Sequence, residues 1–218
     1  LMNFRAVLFD LDGTLLDTLQ DLADAMNTVL RRFGFAPHPL DPYRYFVGNG
    51  MAALVHRALP KPHQDDQALA SACLAALKEE YRERWREQTR PYPGIPELLD
   101  QLAVRQIQMS VLSNKPDEFT RVMVDRFLPQ WHFDCVFGER PGIPRKPDPA
   151  AALEIARLSA IPVEAFAYLG DTATDMLTAT AAGMFPIGVL WGFRPAEELT
   201  ANGAKTLLSS PSELLALL

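Results

Sequence analysis

Ala6-Val7-Leu8-Phe9-Asp10-Leu11-Asp12-Gly13-Thr14-Leu15-Leu16-Asp17-Thr18 is the stretch whose reading decides the fold. Four apolar residues run straight into an aspartate, and a second aspartate follows two positions later. A short apolar run closed by Asp and Gly reads as a strand buried on both faces. The carboxylates then sit where the strand runs out, the edge of a parallel sheet at which α/β proteins place ligands. Two crowded carboxylates repel each other, so they favour the fold only if a cation or a reaction uses them. Asp12-Gly13 alone would suit a plain turn. Asp10, directly on the end of the strand, is harder to account for that way.

Outward from this stretch, residues 18 to 90 read as helices without a convincing strand. Thr18 with Asp21 suggests a capping box, with Asp in place of Glu. Leu19, Leu22, Ala23, Met26, Leu30 and Phe33 recur at helical spacing and Gly34 ends the run. Asp41-Pro42 starts a short helix, Gly48-Asn49-Gly50 breaks it, and Met51 to Leu59 and Asp65 to Arg86 are helical again. The mixed charges from Lys78 to Arg90 fit a solvated helix face. From Pro91 the grammar changes to alternating strands and helices. Strands are expected at Ile107 to Leu112, Cys135 to Phe137, Phe166 to Leu169 and Pro186 to Leu190. Helices are expected over 96–105, 117–127, 150–158 with Asp148 as N-cap, 172–182 with Gly183 as C-cap, and 212–218. Such alternation implies an α/β fold with a parallel sheet wrapped by helices. The expected division is an α/β core of residues 1–16 and 91–218, with 17–90 as an inserted all-α domain.

The composition agrees with a globular chain of 218 residues, 48% hydrophobic and 22% charged. A net charge of −6 argues against a nucleic-acid or anionic-membrane partner. Cys73 and Cys135 lie far apart without metal-ligand spacing, as expected of free thiols in a reducing cytoplasm. No apolar run reaches the length of a membrane helix, and no signal peptide is expected. His38, His56, His63 and His132 have no partner pattern and receive no role.

Four places carry chemistry at strand ends or helix starts: Asp10 with Asp12, Ser113 with Asn114, Lys146, and Asp171 with Asp175. In a parallel sheet such ends face one side. Converging carboxylates form a hard-oxygen site suited to Mg²⁺. A lysine and a hydroxyl beside them suit a phosphoryl group, and one carboxylate can attack phosphorus. Each has a plainer alternative. Ser113 and Asn114 would cap the next helix, Lys146 would be a solvent lysine, and Asp175 would favour its helix N-terminus.

Asp10-Leu11-Asp12-Gly13-Thr14, Leu112-Ser113-Asn114, Lys146-Pro147 and Gly170-Asp171-Thr172 with Asp175 resemble, in order, the four motifs of the haloacid dehalogenase (HAD) superfamily. The resemblance covers essentially the whole chain and implies a Rossmann-like core with a helical cap. It implies a phosphatase in which Asp10 is the nucleophile and Asp12 the acid/base. Ser113, Asn114 and Lys146 would bind phosphate, and Asp10, Asp12 (through its carbonyl), Asp171 and Asp175 would hold Mg²⁺. Asp12 argues against a dehalogenase or phosphonate hydrolase, and Thr14 resembles phosphatases more than phosphomutases. The Val47-Gly48-Asn49-Gly50-Met51 loop and Ser113-Asn114-Lys115-Pro116 are similar to those of phosphoglycolate phosphatases. Gly48, Asn49 and Gly50 are therefore candidate specificity residues, with a hinge as the alternative; Trp191-Gly192-Phe193 is read as packing. The expected substrate is a small phosphorylated metabolite. A phosphomutase of the β-phosphoglucomutase type, or a phosphatase for a nucleotide, sugar phosphate or pyrophosphate, is the rival, and oligomeric state is left open.

Overall fold

A computed structural model describes residues 3–218. The chain divides into two compact units, one holding the chain up to Leu16 and from Pro91 onward, the other Asp17–Arg90.

The larger unit is built on a six-stranded sheet. Its strands are β1 (Ala6–Phe9), β4 (Gln108–Pro116), β5 (Cys135–Glu139), β6 (Phe166–Gly170), β7 (Phe185–Val189) and β8 (Thr206–Leu208). The spatial order is β5-β4-β1-β6-β7-β8, and every pairing is parallel. Two-residue strands β2 (Leu16–Asp17) and β3 (Arg90–Pro91) form a ribbon of their own. Helices α5 (Ile95–Val104), α6 (Asp117–Phe127), α7 (Ala150–Ser159), α8 (Ala173–Ala182) and α9 (Ala196–Ala201) accompany the sheet. Central β1 is buried along its whole length, which is why it reads as an unbroken apolar run. Leu8, Phe166 and Tyr168 pack with Ala151, Ala152 and Ile155 of α7 in one core cluster. In register, Phe9 lies beside Val111 of β4 and Leu169 of β6. The residues that follow these three positions therefore emerge at one edge of the sheet.

The smaller unit is helical: α1 (Leu19–Arg32), α2 (Tyr43–Phe46), α3 (Met51–Ala58) and α4 (Gln67–Arg84). Buried Tyr43 donates to Asn27 Oδ1 at 2.8 Å, and Asn27 also pairs with the His38 backbone in both directions at 2.9 Å. His38 is thus a partly buried structural residue, with its Nε2 2.8 Å from the Ala58 carbonyl.

Several expectations need correction. The capping box at Thr18 is not made. Asp21 turns inward instead and accepts from the Gln88 and Thr89 N–H groups at 2.9 Å and from the Thr89 hydroxyl at 2.7 Å. A carboxylate that finds three donors at the far end of the insert has no reason to stay on its own helix terminus. Asp148 is not the N-cap of α7, although it accepts from Ala150 N–H at 2.9 Å. The final segment is a 3-10 helix over Pro211–Ala216, not an α-helix. Helix α9 and edge strand β8 lie between Leu190 and Ser212, where the sequence pattern predicts no element; both are short and carry little periodicity. Strand β4 runs four residues beyond Leu112, which proves decisive for the site.

Candidate active site

Asp10 is the first residue past β1, and its N–H continues the ladder to the Leu169 carbonyl at 2.9 Å. The chain then turns sharply: Thr14, Leu15 and Leu16 all donate to the Leu11 carbonyl, and Gly13 N–H donates to Leu16 at 2.9 Å. Gly13 has φ +87°, and a Cβ there would lie 2.3 Å from Asp171 Oδ2. The glycine answers both demands, backbone and space.

Lys146 is the hub. Its buried Nζ donates to Asp10 Oδ1 at 2.8 Å, Asp175 Oδ1 at 2.7 Å and the Leu112 carbonyl at 3.0 Å, using all three of its donors. Asn114 holds the Lys146 backbone from both sides: its amide donates to the Lys146 carbonyl at 3.0 Å and its Oδ1 accepts the Lys146 N–H at 2.9 Å. Neither Asn114 nor Ser113 caps a helix; both lie within β4. Ser113 Oγ accepts the Lys115 N–H at 3.1 Å, which leaves the hydroxyl proton to donate elsewhere.

Asp171 follows β6. Phe193 N–H donates to its Oδ2 at 2.8 Å and the Thr14 hydroxyl to its Oδ1 at 3.3 Å. Trp191 Nε1 donates to the Thr14 carbonyl at 3.0 Å, tying the 191–194 loop to the turn after β1. Asp175 serves two partners: Oδ2 accepts from the N–H and hydroxyl of Thr172 at 3.1 and 2.7 Å, while Oδ1 takes Lys146. It therefore caps α8 and reaches the site at once.

Asp10, Asp171 and Asp175 each bring an oxygen within 4.8 Å of the others, all three buried. The Asp12 carboxylate is not in this set; it pairs with Lys115 Nζ at 2.8 Å. Burial, then the neighbouring Asp175, pushes Asp10 up to about 7 despite the opposing pull of Lys146. Burial and the charges of Asp10 and Asp175 likewise push Asp171 well above the usual carboxylate range. The four carboxylates face two ammonium groups, Lys146 and Lys115. Fully ionised, the group has an excess of two negative charges, the charge of one divalent cation. Clustered oxygen donors fit such a hard cation, which Asp10, Asp171 and Asp175 could hold.

Of the seven core residues singled out from the sequence, Asp10, Asp171 and Asp175 cluster around Lys146, Asn114 braces Lys146, Asp12 pairs with Lys115, and Ser113 bonds the Lys115 N–H within β4. Gly48, Asn49 and Gly50 belong to the helical unit. Gly48 and Gly50 have φ +117° and +86°. Arg57 donates to Asn49 Oδ1 at 2.7 Å and to the Tyr45 and Phe46 carbonyls at 3.2 and 3.1 Å, so the loop is held in shape. Sequence reasoning gave no role to Lys115, Thr14 or the Gly192-Phe193 backbone. The signal for Lys115 was its place directly after Asn114. The expected strand stops at Leu112, short of Lys115, whereas β4 runs on to Pro116.

The haloacid dehalogenase-like hydrolase family matches residues 7–189. A protein of Pseudomonas putida called phosphoglycolate phosphatase is 34% identical over 214 residues, which is 97% of this chain and 78% of that protein. The Pseudomonas aeruginosa protein called phosphoglycolate phosphatase 1 is 31% identical over the same length and shares. A crystal structure from Lactobacillus delbrueckii subsp. bulgaricus superposes with a TM-score of 0.91 at 30% identity, covering 98% of this chain and 97% of that one.

Proposed function

The chain belongs to the haloacid dehalogenase-like hydrolase family and is a phosphoric monoester hydrolase, and on that footing we propose that it hydrolyses phosphoglycolate with Mg²⁺ through an aspartyl-phosphate on Asp10. The observation that carries this reading is the Lys146 bridge, which fixes Asp10 at 2.8 Å beside two further buried carboxylates.

In the first half-reaction a carboxylate oxygen of Asp10 bonds to phosphorus as the ester P–O bond breaks. The electron pair of that bond goes to the leaving oxygen, which takes a proton from Asp12. In the second half, water attacks the same phosphorus and gives a proton to Asp12. Asp10 leaves as a carboxylate and phosphate is released. One residue acting as acid and then base meets the requirement that the two halves mirror each other. The Ser113 hydroxyl would hold a phosphoryl oxygen, fixed in advance by the Lys115 N–H, and the Lys146 ammonium, braced by Asn114 and committed to Asp10 and Asp175, would set positive charge beside it. Asp10, Asp171 and Asp175, with the Asp12 carbonyl, would hold Mg²⁺, which would supply positive charge against the anionic phosphoryl group.

For specificity, the Gly48-Asn49-Gly50 loop at the start of α3 is the candidate, since backbone N–H groups at a helix start suit a small carboxylate. Support comes from the names of the relatives and from the loop's fixed geometry. The test is a phosphate-release screen over metabolite monoesters with Mg²⁺, run beside Asp10→Asn. Phosphoglycolate should rank first and the variant should lose at least about 10³-fold in kcat. A sugar phosphate isomerised without phosphate release, or another metabolite ranked clearly ahead, would overturn the assignment.

A further inference from the structure

Lys115 is a charged residue in the site without an assigned role. It stands in β4 with its side chain 2% exposed, and its Nζ donates to Asp12 Oδ1 at 2.8 Å. The backbone around it is held on both sides. Its N–H donates to Ser113 Oγ at 3.1 Å, and its carbonyl accepts from the Thr120 hydroxyl at 3.3 Å. On the neighbouring strand a Cβ at Gly138 would lie 2.5 Å from that carbonyl, so β5 keeps a glycine where the chains come closest. Such a placement has an energetic cost. Burying a lysine and an aspartate together is seldom more stable than an apolar pair of similar volume. The pair thus has little value as a stabilising contact.

Its geometry has a chemical consequence. Asp12 lies two residues from Asp10, close to a cluster that would attract a cation, yet its carboxylate stands outside that cluster. The Lys115 ammonium bonds it there. Nζ–H···Oδ1 is a bond that both the carboxylic acid and the carboxylate accept, since a carbonyl oxygen and a carboxylate oxygen are both acceptors. Orientation is then preserved while the proton comes and goes on Oδ2.

We propose that Lys115 is a positioning residue for the proton transfer: it holds Asp12 by Oδ1, keeps the carboxylate off the cation, and leaves Oδ2 to give and take the proton. The proposal rests on the reading of Asp12 as the acid/base. Lys115 itself makes and breaks no bond. In the first step the proton leaves Asp12 Oδ2 for the departing ester oxygen, and in the second it returns from the attacking water.

The test compares an alkyl phosphate with an activated aryl phosphate such as p-nitrophenyl phosphate, using the Mg²⁺-loaded enzyme. An aryloxide departs without protonation and an alkoxide does not. Loss of a well-aimed acid therefore hurts the alkyl ester more, whereas a packing defect hurts both alike. Lys115→Met should lower kcat on the alkyl ester by about 10²-fold and on the aryl ester by less than about a tenth of that factor, with KM changed little. Lys115→Arg should recover most of the loss, and a Mg²⁺-induced shift in Tm equal to that of the unsubstituted protein shows that the cluster is intact. Should Lys115→Met not fold, Lys115→Leu, which likewise has no donor, is read in the same way. Equal losses on both esters, or a loss carried wholly by KM, would overturn the proposal. Asp12→Asn separates the two levels of the argument. If it too loses equally on both esters, the acid/base reading itself fails. If Asp12→Asn discriminates between esters and Lys115→Met does not, only the role of Lys115 fails.

Discussion

At the scale of single residues, the site is a problem of crowded charge met by two buried lysines. Lys146 touches Asp10, Asp175 and a carbonyl at once, so its removal strips the partner from two buried carboxylates. Lys146→Met should destabilise the metal-free protein by about 3–5 kcal/mol, the usual cost of breaking a buried pair from one side. Urea unfolding in the presence of a chelator measures it. The same variant should lower kcat by about 10²–10³-fold, as expected for loss of a preorganised donor. An unchanged unfolding midpoint would show that the carboxylates have another partner. The aspartates of this site were legible because each ends an apolar run or opens a helix. Lys115 was not, because nothing in a single sequence says that a strand continues through a polar Ser-Asn-Lys segment. Its burial follows from pairing with β5 as far as Pro116 and Glu139.

At the scale of elements, the sheet edge and the loops above it divide the work. Strands β1, β4 and β6 bring the candidate site residues to one edge, and the 191–194 loop bonds Asp171 from outside. A Cβ at Gly192 would lie 2.3 Å from Asp171 Cβ and 2.4 Å from the Gly13 carbonyl. Gly192→Ala must therefore displace Asp171 or the turn. We expect Mg²⁺ affinity to fall about 10–100-fold, the range for disturbing a group that orients a ligand. A Mg²⁺ titration of activity checks this, and unaltered affinity would mean that Asp171 is not a ligand. Trp191-Gly192-Phe193 had been read as packing, and its backbone and indole turn out to hydrogen-bond the site. Such backbone contacts leave no trace in residue type beyond the glycine itself. The strand-helix alternation was legible from periodicity and breakers. Helix α9 and strand β8 were not, because six and three residues are too short to show a period. The failed capping box at Thr18 shows a local rule overridden by a tertiary one, since Asp21 finds better donors at Gln88 and Thr89.

At the scale of the whole molecule, the charge excess couples stability to pH and to the cation. In the folded protein Asp10 holds its proton up to about pH 7, whereas its ordinary value is 3.8. Between those values the native state binds a proton that the unfolded chain has released. Stability from this group is therefore present at low pH and lost as pH rises through about 7, by on the order of a few kcal/mol. On the proposed function, Mg²⁺ would offset that loss by binding the ionised site. The metal-free protein should thus gain more in Tm from Mg²⁺ at pH 8 than at pH 5, and Asp10→Asn should flatten the difference. Equal gains at both pH values would show that Asp10 does not carry the linkage. Fold class was legible because buried parallel strands and an all-helical insert have different sequence grammars. The substrate was not, since the shape that admits it is made by side chains distant in sequence. The central claim is that Asp10 takes the phosphoryl group, and trapping that group tests it most directly. The enzyme is acid-quenched during turnover of phosphoglycolate carrying radiolabelled phosphorus, digested and mapped. The label should sit on the peptide containing Asp10, be released by hydroxylamine, and be absent in Asp10→Asn. Turnover without protein-bound label, or Asp10→Asn retaining full activity, would contradict the account.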